Sequence, residues 1–284
     1  MQSYFNVMSE LLTRTISGAV LGIILIGSVL LSPWTYAFVM LFIVVVGTYE
    51  MRKLTLKAQS EEKKFDESCT LFLGETLSVA FFAIASLVGL QVLPEKWLLL
   101  ELPILMLPFL MALFSTRYSF KEMAAYCYGS IIYLSLPTAL MVMMFRHDLF
   151  GDMAGARLIL LVFGLIWTND IFAYLTGRLL GKHKLFPRIS PGKTIEGSIG
   201  GLIFSVIAIA LVSRYADWLP ASAIGIAVIT VVFGTLGDLC ESMLKRQAGV
   251  KDSGTLIPGH GGILDRFDSI MFSVPFIFVY LQLI

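Results

Sequence analysis

Nine apolar stretches follow one another along this chain, most of them about long enough to cross a lipid bilayer, with charged or turn-forming residues between them. A spanning helix needs about 20 apolar residues. Inside lipid every backbone polar group must find a partner within the structure, so helices are the solution such runs permit. The runs lie near residues 14–31, 34–49, 70–93, 97–115, 123–145, 157–177, 195–213, 221–238 and 267–284. The expected fold is an all-α polytopic membrane protein with about nine transmembrane helices. Some runs, notably 34–49, are short for a roughly 30 Å hydrocarbon core and are expected to tilt or to lie partly within protein.

Composition agrees with this reading. Hydrophobic residues make up 57% of the 284 and charged residues 14%, against about 45–50% and about 25% in soluble domains. So little charge cannot cover a soluble surface, and the same figures exclude disorder and a small disulfide scaffold. Arg14 ahead of the apolar run 16–31 resembles a secretory signal, but no small-x-small cleavage site follows, and the run is read as the first span. No internal repeat is evident, which disfavours inverted-repeat transporters. Cys69, Cys127 and Cys240 have no metal-like spacing and are read as apolar packing residues.

The net charge of +1 provides no global field to draw in nucleic acid. The placement of the bases is more informative, because Lys and Arg concentrate in cytoplasmic loops. Loops after the second, fourth, sixth and eighth runs, with Arg14, hold 17 bases, whereas the opposite side holds four, Lys96, Arg146, Arg157 and Arg214. The N-terminus and the late polar loops are therefore expected in the cytosol, and the protein in the membrane bounding it, a bacterial inner membrane. Residues 1–150 form a hydrophobic N-terminal part of about five spans with a cytosolic connector at 50–67. Residues 151–284 form a more polar part of about four spans with cytosolic loops at 178–194 and 238–268. The connector mixes five acids with five bases and is read as solvated, with no chemistry assigned to it.

Three later features carry chemistry. Asp170 lies late in the sixth run, and an ionisable group at membrane depth is a functional candidate because its burial is costly. Segment 178–201 holds five bases, Arg178, Lys182, Lys184, Arg188 and Lys193, ahead of its one acid, with Lys193, Thr194 and Glu196 at a helix start. Pro187 stands where a P-loop needs Gly, so that motif is rejected. A phosphate cradle of helix-terminal N–H groups with Lys193 is one reading, and bases that only enforce topology the other. In segment 237–269, Asp238, Glu241, Ser242 and Lys245 share one helix face if the eighth span runs on into the cytosol, with Gly249 as its stop. A glycine-rich loop around His260 follows, and Asp265 and Asp268 stand three apart at the next helix start. Carboxylates without clustered His or Cys favour a hard cation such as Mg²⁺, and the interleaved Lys245, Arg246, Lys251 and Arg266 suit phosphate.

These residues carry a resemblance. The run Ser242-x-x-Lys245-Arg246, Lys251-Asp252, Pro258-x-His260-Gly261-Gly262-x-x-Asp265-Arg266-x-Asp268 is similar to the signature of the phosphatidate cytidylyltransferase (CDP-diacylglycerol synthase) family. Ser190-Pro191-x-Lys193-Thr194-x-Glu196-Gly197, and Asp170 with Ala173-Tyr174, resemble two further stretches of that family, so the likeness covers the chain from Trp167 onward. Asn169-Asp170-Ile171-Phe172 departs from the bacterial small-Asp-Ser/Thr-Gly pattern while leaving Asp170 matched. The resemblance implies a Mg²⁺-dependent nucleotidyltransferase of phospholipid biosynthesis, transferring CMP from CTP to phosphatidic acid to give CDP-diacylglycerol and pyrophosphate.

It further implies Asp265, Asp238, Lys245 and Arg266 as catalytic residues and Asp238, Glu241, Asp265 and Asp268 as metal ligands. Ser190, Lys193, Ser242, Arg246, Lys251, His260 and Asp170 would bind substrates. Expected partners are CTP, phosphatidic acid and the bilayer, with no nucleic acid, and a homodimer by base rate. The competing readings are a CTP-using lipid-alcohol kinase and a transporter that uses Asp170 as part of an ion path near the membrane midplane.

Overall fold

A computed structural model of the chain describes residues 2–57, 69–114, 120–146, 154–216, 219 and 222–284. Each of the nine apolar runs is a helical rod within it. α1 (Gln2–Leu31) and α2 (Pro33–Lys57) form the first pair. Ser32 ends one and starts the other: its Oγ accepts from the Thr35 N–H at 3.1 Å, and Thr35 Oγ1 accepts from the Ser32 N–H at 3.1 Å. Pro33 then occupies the first helical position, where its missing N–H costs nothing. α3 (Cys69–Gly89) stops just before Gln91 takes a left-handed backbone at φ 62°.

A 3-10 turn over Glu95–Leu100 continues into α4 (Glu101–Phe114). The next rod is α5 (Phe120–Ser130), a π-turn at Ile131–Ser135 and α6 (Leu136–Met143). Pro137 accounts for the π-turn, because it has no N–H for the carbonyl one turn earlier and its ring crowds that carbonyl. α7 (Ala154–Leu180) precedes a two-stranded antiparallel hairpin, β1 (Lys184–Phe186) and β2 (Ser190–Thr194), in place of the loop expected at 178–194. α8 (Ile195–Tyr215), α9 (Ala223–Gln247) and α10 (Leu264–Leu283) complete the chain.

Among the described residues seven rods are long and apolar enough to cross a membrane: Leu12–Leu31, Pro33–Thr55, Glu95–Phe114, Ala124–Met143, Gly155–Leu180, Ile195–Tyr215 and Ala223–Gln247. The other two expected spans are helices as well, α3 with a shorter apolar part at Gly74–Gly89 and the 20-residue α10. Large apolar side chains such as Ile23, Phe38, Leu113 and Phe114 point outward over most of the surface, as lipid-facing residues do and a water-facing surface of this size does not. The chain is an integral membrane protein. Residues 58–67 of the predicted connector lie outside the described residues.

One continuous core joins Tyr36, Met40 and Ile43 of α2, Met141 of α6, Leu158 and Val162 of α7, and Ile270, Val274 and Ile277 of α10. It draws on both parts of the chain. Lipid tails are as apolar as leucine, so helices associate in a bilayer through close packing rather than hydrophobic burial. Glycines supply the closeness between α7 and α8: a Cβ at Gly197 would lie 2.7 Å from the Ala173 carbonyl oxygen, and one at Gly201 3.1 Å from that of Asn169. Between α9 and α10, Gly237 lies against the Asp268 carbonyl, and Phe233 stacks on Phe276 with centroids 3.6 Å apart. These contacts bring the polar ends of α7 to α10 to one face of the bundle.

The α7–α8 packing yields a stability prediction. Gly201→Val is expected to destabilise the protein by about 1–3 kcal/mol through overpacking, read as a lowered midpoint of thermal unfolding in detergent. An unchanged midpoint would show that the two helices have room to separate.

Candidate active site

α9 runs past its apolar part to Gln247 and ends in a C-terminal glycine motif. The Gly249 N–H bonds the Arg246 carbonyl at 3.1 Å and the Val250 N–H bonds that of Lys245 at 2.9 Å, with Gly249 left-handed at φ 67°. This extension places Asp238, Glu241, Ser242 and Lys245 on successive turns, as their spacing requires. Ser242 Oγ donates to Asp238 Oδ1 at 3.2 Å. Lys245 Nζ pairs with Glu241, one turn back on the same helix, and with Asp265 Oδ1 of α10 at 2.7 Å. Glu241 has no solvent exposure and Asp265 little, so one ammonium is held between two buried carboxylates.

Asp265 is saturated by protein donors. Its Oδ2 accepts from the Ser253 N–H at 2.8 Å, the Ser253 hydroxyl at 2.9 Å and the Gly262 N–H at 2.8 Å. The loop between α9 and α10 closes on itself to make this possible: the Ile257 N–H bonds the Gly261 carbonyl and the His260 N–H that of Ile257, each at 2.9 Å. Gly261 is left-handed at φ 84°, and a Cβ there would lie 3.2 Å from Asp265 Cγ. His260 is anchored to α1, its Nδ1 2.8 Å from Ser17 Oγ. Burial, together with the guanidinium groups of Arg266 and Arg14, holds its imidazole below the ordinary histidine range.

Two cavities meet at Asp170. The larger, about 480 Å³, lies between α7, the hairpin, α8 and α9, and its polar lining includes Asp170, Arg178, Lys193, Thr194 and Asp238. Lys193 Nζ forms an ion pair with Asp238 Oδ2 across it. The smaller, about 220 Å³, lies between α1, α7 and α10: Leu21, Leu25, Phe163 and Ile166 line one part, and Asp170, His260, Arg266 and Asp268 another. Asp268 feels the charges of Asp238 and Asp170, and Asp170 those of Asp238 and Lys193, so three carboxylates share one electrostatic neighbourhood.

The residues singled out from sequence are thus sorted into different places. Asp170, Lys193 and Asp238 face the larger cavity, and Asp170, His260, Asp265, Arg266 and Asp268 the smaller. Glu241 and Lys245 stand behind them. Arg246 lines a separate groove with Arg188, Lys251 is exposed in the loop, and Ser190 begins β2 opposite Phe186. The helix start read as a phosphate cradle spends amides internally: the Gly197 N–H is capped by Thr194 Oγ1 at 3.1 Å, and the Ile195 N–H bonds the His183 carbonyl at 2.9 Å. Glu196 closes back on the Lys182 and His183 N–H groups and on His183 Nδ1. Lys193 is what this segment offers to the cavity.

Sequence reasoning missed Ser253, Arg178, Ser17 and Glu50. Glu50 carried the one usable signal, an acid directly at the end of an apolar run, where burial is costly without a partner.

Among the described residues no three His, Cys, Asp or Glu side chains are gathered tightly enough to enclose an ion by themselves. The donor chemistry nevertheless fits a hard cation. Asp238 lines the larger cavity, Asp268 the smaller and Asp170 both, so the acids beside the cavities offer carboxylate oxygens, and phosphate oxygens or water complete such a site in many magnesium centres.

Comparison with known proteins bears on the whole chain. A family model described as the cytidylyltransferase family matches residues 12–284. The phosphatidate cytidylyltransferase of Staphylococcus saprophyticus subsp. saprophyticus is 45% identical over 170 residues, which cover 58% of this chain and 61% of that protein. Those of Staphylococcus haemolyticus and Staphylococcus aureus are 46% and 45% identical over the same length and shares. The matched region therefore spans about 61% of the length of these curated relatives.

The two lysines are expected to behave oppositely when neutralised. Lys245→Met leaves two buried carboxylates unpaired and should cost about 3–5 kcal/mol, a large drop in thermal midpoint. Lys193→Met breaks a half-exposed pair and should shift stability by about 1 kcal/mol or less. Similar melting of the two variants would contradict the difference in burial on which this rests.

Proposed function

The chain belongs to the cytidylyltransferase family, and from that premise we propose that it is a phosphatidate cytidylyltransferase, transferring CMP from CTP to phosphatidic acid with release of pyrophosphate. The observation that carries the reading is the pair of cavities joined at Asp170. One is of ligand size, about 480 Å³, with the bases Arg178 and Lys193 in its wall. The other sets apolar walls of α1 and α7 beside Arg266 and His260. A polyanionic nucleotide suits the first and the head of an anionic lipid the second, and their shared wall is where the two would react.

In this mechanism Lys193 and Arg178 bind phosphate oxygens of the nucleotide, Lys193 exchanging Asp238 for them. Arg266 and His260 orient the lipid phosphate. That phosphomonoester, with a second pKa near 6 by analogy with other phosphate esters, is largely ionised at neutral pH and attacks without a strong general base. Its oxygen forms a bond to the α-phosphorus of CTP as the bond from that phosphorus to the bridging oxygen breaks, and pyrophosphate leaves with the electron pair. Asp238 and Asp268, with Asp170 beside them, would hold Mg²⁺, which when bound supplies neutralisation of the charge on the transferring and departing phosphates. Asp265 and Glu241 are committed to Lys245 and hold the ends of α9 and α10 together. The 17-to-4 distribution of bases supports a cytosolic position for this face, and the bacterial relatives support the inner membrane.

Purified protein incubated with phosphatidic acid, labelled CTP and Mg²⁺ should yield a CMP-containing lipid and pyrophosphate. No labelled lipid above a lipid-free control, or phosphorylation of a lipid alcohol instead, would overturn the reading. Lys193→Met should lower kcat by about 100- to 1,000-fold, the usual loss for one preorganised charge on a reacting group, while the protein remains folded. Activity within a fewfold of the parent would remove Lys193 from the phosphate site.

A further inference from the structure

Glu50 lies in the C-terminal half of α2, far in sequence from the polar residues of the cavities, and is 3% exposed. Its Oε1 accepts from the Ile263 N–H at 3.0 Å, and its Oε2 accepts from the Leu264 N–H at 3.0 Å. These are amides at the start of α10, among the donors a helix leaves unsatisfied at its N-terminus, where a negative charge is also favoured by the helix dipole. The carboxylate thus caps α10 from another helix. The loop is shaped around it, since a Cβ at Gly254 or at Gly262 would run into the Glu50 carboxyl group.

The same carboxylate is linked to Asp265, beside the smaller cavity, through one hydroxyl. Ser253 Oγ lies 3.0 Å from Glu50 Oε2 and 2.9 Å from Asp265 Oδ2. A hydroxyl has a single proton, so Ser253 stands between the two carboxylates and donates to one of them at a time. Asp265 in turn holds Lys245, and Lys245 holds Glu241. The next residues on α10, Arg266 and Asp268, line the smaller cavity. Glu50 itself lines neither described cavity.

Resting on the nucleotidyl-transfer reading above, we propose that Glu50 is a positioning residue for that reaction. It sets the start of α10, and so the places of Arg266, Asp268 and Asp265, without touching either substrate.

The test uses the full chain in detergent or nanodiscs with Glu50→Gln, which keeps size but removes charge and one acceptor, Ser253→Ala, which spares the backbone caps, and the double variant. Kinetics, thermal melting and hydrogen exchange of segment 252–264 are measured on each. Glu50→Gln should lose about 100-fold in kcat, the scale of loss from a misplacement of about 1 Å, with KM for CTP within threefold and exchange at 252–264 accelerated. Ser253→Ala should lower kcat as well, and the double variant should be no slower than Glu50→Gln alone, because both act on one path.

Unchanged kcat per folded molecule, loss only in step with the folded fraction, or single effects that multiply in the double variant would each overturn the proposal. If Glu50→Gln does not fold, Ser253→Ala decides, and parental kcat there counts against it. Should the parent protein form no CMP-lipid, the functional reading falls, while unaltered exchange at 252–264 in Glu50→Gln would separately overturn the brace.

Discussion

A single ammonium group keeps the polar end of this bundle together. Lys245 Nζ sits between Glu241 and Asp265, both largely withdrawn from solvent. Withdrawing charges from water is expensive, and such a group holds only when its remaining lone pairs are satisfied. Asp265 meets that condition through Ser253 and Gly262, which is possible only because the loop folds back on itself at Gly261. The path of the loop and the start of α10 are thus tied to satisfying one carboxylate, that of Asp265. The neighbouring carboxylates Asp170, Asp238 and Asp268 are left with fewer partners and face open space.

That division gives the acids of the polar face different duties. Asp265 and Glu241 serve the architecture through Lys245, although Asp265 also lines the smaller cavity, and Asp170, Asp238 and Asp268 face the cavities with fewer protein donors than Asp265. Asp238 is paired with a lysine that is itself partly exposed, an interaction weak enough to be exchanged. Asp170 separates the two cavities, so any charge arriving in one is felt in the other.

Much of this was legible beforehand because helical periodicity is local. The common face of Asp238, Glu241, Ser242 and Lys245 follows from spacing alone, as do the stop at Gly249 and the nine rods. The hairpin was not, since strands of three and five residues carry no alternation long enough to read. Nor could spacing reveal which acid would be saturated, because the donors to Asp265 come from a loop whose path depends on tertiary contacts. Glu50 was the hardest case. Its partners are 203 to 214 positions away, and a charged stretch at the end of a span looks the same whether it is solvated or reaches back into the protein.

That separation also bears on the making of the protein. Chains enter a membrane from the N-terminus, and α2 is in place long before the last helix is synthesised. Until α10 arrives, Glu50 has none of its partners from residues 253, 263 and 264, and Asp265 has not yet been translated to hold Lys245. Lys193 and Asp238, by contrast, both precede α10 in the chain and can pair before it is made. The cap on α10 and the Asp265 half of the ion cluster thus close only when α10 packs against α2 and α9, so the order of synthesis leaves these contacts until after both earlier helices are made.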